Sequence, residues 1–80
     1  MQSFHITLAS VSDVKCFVDA ASGLSCDVDV ASGRYTVNGK SIMGLFSIDL
    51  SDPVRVDVHG SEEEAAAFRS QIAEFIAPEG

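Results

Sequence analysis

Lys40-Ser41-Ile42-Met43-Gly44 places a hydroxyl beside a cation and ahead of a short apolar run, and no other stretch of this chain is better suited to chemistry. A serine at the start of a helix accepts a hydrogen bond from backbone N–H groups that have no partner there. The same donors favour a phosphate esterified to that hydroxyl. Type and spacing therefore leave Ser41 two readings, a helix cap or a site of phosphorylation. Around it, Lys40, Ile42, Met43 and Phe46 supply one cation and three apolar side chains, which suits a protein-binding surface; Ile42 and Phe46 could equally complete a core. Cys16 and Cys26 have no metal-ligand spacing and read as reduced thiols, not as a disulfide. Cys16 lies off the apolar stripe of its helix, where a neighbour such as Lys15 could activate it, although an inert surface thiol is the simpler reading. Glu62-Glu63-Glu64 reads as a complement to a helix dipole before it reads as a binding patch.

The elements that position these groups follow from periodicity. Phe4, Ile6 and Leu8 alternate with His5 and Thr7 as a first strand. Ser10 and Asp13 resemble a capping box, after which Val14, Phe17, Val18 and Ala21 recur at helical spacing, predicting a helix over Val11–Ser22 closed by Gly23. Cys26, Val28 and Val30 alternate with Asp27 and Asp29, Ser32-Gly33 supplies a turn, and Tyr35-Thr36-Val37 opens the return strand of a hairpin. Asn38-Gly39 is itself a strong hairpin signal, yet Ile42, Leu45 and Phe46 fall at i, i+3 and i+4, so the spacing predicts a short helix there despite Gly44. Asp52-Pro53 breaks the chain, and Val54, Val56 and Val58 alternate with Arg55, Asp57 and His59 in a fourth strand. Ser61 with Glu64 forms a second capping box, and Ala65, Phe68, Ile72 and Phe75 predict a last helix over Glu62–Ile76, followed by a frayed Ala77–Gly80.

The order is β-α-β-β-α-β-α. It predicts an α+β open-faced sandwich in which three helices cover one face of a four-stranded antiparallel sheet, while Asp27, Asp29, Arg55 and Asp57 keep the other face in water. Eighty residues predict one domain, 1–80, with one modest core. A net charge of −7, from twelve acidic against five basic side chains, repels phosphate backbones and anionic lipid. Nucleic acid and membrane are therefore unexpected partners, and a protein surface fits better. No apolar run is long enough for a membrane span and Met1–His5 lacks the character of a signal peptide, so the expectation is a cytoplasmic protein without cofactor or metal.

This element order, together with Gly39-Lys40-Ser41-Ile42-Met43-Gly44-Leu45-Phe46-Ser47-Ile48, resembles the HPr phosphocarrier family of the bacterial sugar phosphotransferase system over nearly the whole chain. The resemblance implies that Ser41 matches the serine that a bifunctional HPr kinase/phosphorylase modifies in Gram-positive members, so that cap and phosphoacceptor are one hydroxyl. It further implies that the kinase and a catabolite-control transcription factor are partners. The sequence departs from the family at its catalytic loop. Phosphocarriers hold a histidine in Gly-x-His-x-Arg-Pro between the first strand and first helix, where this chain reads Leu8-Ala9-Ser10-Val11-Ser12-Asp13-Val14-Lys15, without histidine, arginine or proline and about three residues shorter. An imidazole can accept a phosphoryl group and pass it on; a hydroxyl ester lacks that reactivity. The chain thus resembles regulatory paralogues that lost the histidine and kept the serine, and a degenerate HPr-like group of Clostridia-type bacteria. The resemblance gives the loop arginine a part in meeting the transcription factor, and this chain lacks that residue. His5 and His59, on strands that are neighbours in this fold, could lie close together on the solvent face, but they lack the carboxylate cluster and spacing of a metal site. Two alternatives stay open: a phosphocarrier using His59 or His5, and an unmodified interaction domain in which Ser41 only caps.

Overall fold

A computed structural model describes residues 2–76. Valine-rich alternation gives four strands, β1 (Gln2–Ile6), β2 (Val28–Ser32), β3 (Tyr35–Asn38) and β4 (Val54–Val58), in one antiparallel sheet of order β1-β4-β2-β3. Register sorts the side chains by face. Phe4, Val56, Val30 and Val37 align across the sheet in one row and Ser3, Asp57, Asp29 and Asn38 in the next, so apolar and polar residues alternate between faces as the pleat requires.

Helices α1 (Val11–Ser22), α2 (Ile42–Phe46) and α3 (Glu62–Gln71) cover the apolar face, giving the open-faced α+β sandwich that the periodicity predicts. Phe17 and Phe68 are fully buried and meet edge to face with ring centroids 5.5 Å apart, joining α1 to α3 above Val30, Val54, Val56 and Val58. Leu45 roots α2 in the same cluster.

Several expected boundaries move, each for a local reason. The first strand stops at Ile6, where β4 begins opposite it at Val54; the next amide, Thr7 N, donates instead to Phe75 O at 2.8 Å. The last helix stops at Gln71, Ile72 leaves helical geometry at φ −110°, and a 3₁₀ turn (Ala73–Phe75) carries Phe75 into the core and Ile76 into a bridge with Ile6. Gly23 ends α1 with φ −77°, not in the left-handed region; among the described residues only Gly33, in the β2–β3 turn, has positive φ, at 58°. The expected fray at Ala77–Gly80 lies outside the described residues.

The uncovered face is less open than its charges suggest. Asp57 is only 8% exposed, because it sits on a central strand between Ser3 and Asp29. Ser3 Oγ donates to its Oδ1 at 2.7 Å, and Arg55 Nε lies 3.2 Å from the same oxygen. The expected solvated carboxylate is thus a buried, doubly satisfied one.

Candidate functional site

The loop before Ser41 is built by Asn38 and Gly39. Asn38 Oδ1 accepts from Lys40 N at 2.9 Å, Asn38 O accepts from Ser41 N at 3.0 Å, and Gly39 N donates to Val28 O at 2.7 Å. Glycine is required there by contact: a Cβ on Gly39 would lie 2.8 Å from Val28 Cγ1 and 3.1 Å from Val28 O. The Asn-Gly pair therefore makes an Asx turn into a helix and not a hairpin.

Ser41 is the N-cap of α2, with extended backbone (φ −107°, ψ 111°), and its Oγ accepts from Gly44 N at 3.1 Å. The hydroxyl is half-buried. Gly44 lets α2 lie flat on β3, since a Cβ there would be 3.3 Å from Val37 Cβ and 3.4 Å from Ser41 Oγ. Next to the cap, Met43 is 77% exposed and Phe46 47%, whereas Ile42 is partly buried against the core. The two exposed side chains are free to meet a partner, and Ile42 mainly supports α2. Lys40 points away from the apolar pair: its Nζ donates to Leu24 O, beyond the end of α1, at 2.8 Å.

Phe46 also forms one wall of an open groove of about 590 Å³, shared with Leu8, Val11, Val14 and Leu50. The opposite wall is the β1–α1 connection. Ser10 caps α1 by accepting from Asp13 N at 3.1 Å, and Asp13 Oδ2 accepts from Ala9 N at 2.9 Å, one residue before the position a strict capping box would use. The chain's own carboxylate thus occupies the start of α1, and no imidazole is nearby. His5 pairs in register with Arg55, whereas His59 follows Val58, which pairs with Gln2, so the two histidines stand at opposite ends of the β1–β4 ladder and are not close together. His59 Nε2 lies 2.8 Å from Asp29 Oδ2. Both are on the face away from Ser41, and among the described residues no cluster of three or more His, Cys, Asp or Glu could hold a metal ion.

The corner that receives Lys40 has no signature in the sequence. Ser25 Oγ donates to Glu64 Oε2 at 3.0 Å, and the partly buried Cys26 lies against the same carboxylate. Burial and then Glu64 push the Cys26 thiol up from its ordinary value, while Lys40 pulls it down. Glu64 is held below the usual carboxylate range, first by the Ser61 backbone N–H and then by Ser25. No motif joins residues 24, 26, 40 and 64; only the tertiary fold does. Among the described residues no helix is long and apolar enough to cross a membrane.

Comparison with known proteins accords with this geometry. The chain is similar in structure to the HPr-C-His protein of Thermoanaerobacter tengcongensis (TM-score 0.74, 27% identity, 95% of this chain and 100% of that one). It is also similar to Crh, the catabolite repression protein of Bacillus subtilis, described as a swapped, intertwined dimer (TM-score 0.65, 25% identity, 91% and 88% covered). The phosphocarrier protein HPr of Bacillus anthracis shares the fold (TM-score 0.66, 24% identity, 88% and 94% covered). No curated protein sequence matches. Residues 13–77 match the family described as "PTS HPr component phosphorylation site", and the chain therefore belongs to the HPr family of the phosphotransferase system.

Proposed function

We propose that this chain is a regulatory, non-catalytic HPr-family protein, switched by phosphorylation of Ser41 and read by protein partners in the cytoplasm, and not a histidine phosphocarrier. The observation that carries the reading is the pairing of a half-buried Ser41 hydroxyl on the start of α2 with a β1–α1 connection that offers no imidazole and is capped by Asp13. In the modifying step the Ser41 Oγ–phosphorus bond forms, the bond from the γ-phosphorus of ATP to its bridging oxygen breaks, ADP leaves, and the hydroxyl proton passes to a base on the kinase. The product adds about two negative charges next to exposed Met43 and Phe46. A partner with a basic pocket and an apolar rim reads both features. Similarity to Crh, whose name links it to catabolite repression, supports the regulatory part of this reading. The partners are an HPr kinase/phosphorylase-like enzyme and a catabolite-control transcription factor.

Incubation with an HPr kinase/phosphorylase and ATP is expected to give an acid-stable adduct that Ser41→Ala abolishes. An acid-labile adduct formed from phosphoenolpyruvate and the first enzyme of the transport chain would instead favour a carrier using His59 or His5. No adduct in either reaction would leave an interaction domain in which Ser41 only caps.

A further inference from the structure

We propose that Lys40 is a positioning residue that reports the state of Ser41 to the far end of α1, holding the Leu24 carbonyl when Ser41 is free and releasing it to grip the phosphate when Ser41 is modified. The inference rests on the phosphoserine reading above and extends it to a part of the surface that reading does not involve.

Lys40 Nζ donates to Leu24 O at 2.8 Å, and among the described residues no carboxylate lies within ion-pair distance of it. Its resting partner is therefore a neutral oxygen, in a protein of net charge −7. α1 has no basic residue in its last turn, so the negative end of its dipole is complemented from outside the helix by Lys40. The neighbours of Leu24 along the chain are Gly23, whose N–H donates to Ala20 O and Ala21 O, and Ser25 and Cys26, which face Glu64.

A phosphate on the adjacent residue offers the ammonium a stronger partner. The Lys40 and Ser41 Cα atoms are about 3.8 Å apart, and the four-carbon stem of lysine is flexible. The ammonium's bond to Leu24 O is ionised on the donor side alone, whereas a bond to phosphate joins two ionised groups, and the incoming group carries about two negative charges. The backbone need not move, because Asn38 holds both amides of the turn and Val28 O holds Gly39 N. Only the lysine side chain turns. The last turn of α1 then loses its cation, and the Cys26–Glu64 corner loses the one positive charge that lowers the thiol's pKa.

The test uses full-length chain with phosphoserine installed at position 41 during synthesis, so that its outcome does not depend on any kinase; failure of enzymatic modification is read separately. Two signals are followed: amide exchange of Gly23 and Leu24, and the alkylation rate of Cys26 against Cys16 in the same molecule. Phosphoserine is expected to speed exchange at Gly23 and Leu24 roughly two- to five-fold, the range of a lost cation at a helix C-terminus, and to slow Cys26 relative to Cys16. Lys40→Met should show both changes without phosphate and no further change with it. Lys40→Gln keeps a donor for Leu24 O but no charge, and should ignore the phosphate. Unchanged signals in the phosphorylated parent would overturn the proposal, and so would equal responses to phosphate in parent and Lys40→Met, which would mean a direct field effect without lysine transfer.

Discussion

Replacing Ser41 with alanine isolates the structural half of this residue's work. The hydroxyl makes the one side-chain bond that closes the start of α2, accepting from Gly44 N at 3.1 Å, and α2 has only five residues to absorb the loss. Removing such a cap costs about 1 kcal/mol, which in a domain of this size lowers Tm by roughly 4–8 °C. Ser41→Gly should lose only a few tenths of a kcal/mol, because glycine tolerates the N-cap position. Ser41→Asp keeps an acceptor and adds a favourable charge at the helix start, so it should unfold within about 0.5 kcal/mol of the parent. Thermal and urea unfolding followed by far-UV circular dichroism therefore should rank parent and aspartate together, then glycine, then alanine. If alanine unfolds with the parent, or aspartate proves the least stable, the cap assignment is wrong. The ranking also bears on function, since a residue whose anionic replacement keeps the cap can be modified without unravelling the helix that presents Met43 and Phe46.

Gly39→Ala forces a Cβ to 3.1 Å from a backbone oxygen that already accepts the Gly39 amide, and should cost about 1–3 kcal/mol as an overpacking change; a lowered urea midpoint at unchanged slope checks this, and the rate of Ser41 phosphorylation should fall more than the stability does. Acid should weaken the fold through Glu64, whose carboxyl is held below its ordinary value of 4.5 by the Ser61 N–H and Ser25. A lowered folded pKa means stability present above the unfolded value and lost as pH falls through the folded one. Glu64→Gln should accordingly flatten the decline of the urea midpoint below about pH 4.5 without abolishing it, because Asp49, held down by Ser51, titrates in the same direction. An unaltered pH profile in Glu64→Gln would contradict that assignment.

Much of the molecule is legible from local signals, because those signals and the tertiary packing agree. Alternating valines mark β4, Ser61 with Glu64 marks the start of α3, and Ile42, Leu45 and Phe46 at helical spacing overrule the Asn-Gly hairpin signal. What sequence misplaces depends on neighbours distant along the chain. β1 ends where β4 begins, α3 breaks so that Phe75 can turn into the core, and Asp57 loses its water to Ser3 and Arg55. The histidines share a face and neighbouring strands, as alternation implies, but separation along the ladder needs the register, which alternation does not contain. At the site, the identity of the capping serine is local and readable. The direction of the Lys40 side chain is not, because it is set by a carbonyl sixteen positions away in the chain.

The strand order has a consequence for how the chain is made. β4 lies between β1 and β2, yet it is the last strand to be synthesised. Until residues 54–58 emerge, β1 has no partner, and the only strand pair a growing polypeptide can form is the β2–β3 ribbon. A two-stranded ribbon is marginal alone in water. Commitment to the native state must therefore await late, sequence-distant pairing, which favours slow assembly and leaves the valine-rich face of an unfinished chain exposed to other chains. A nascent product halted before Val54 would be a candidate for chaperone capture, whatever the eventual stability of the finished domain.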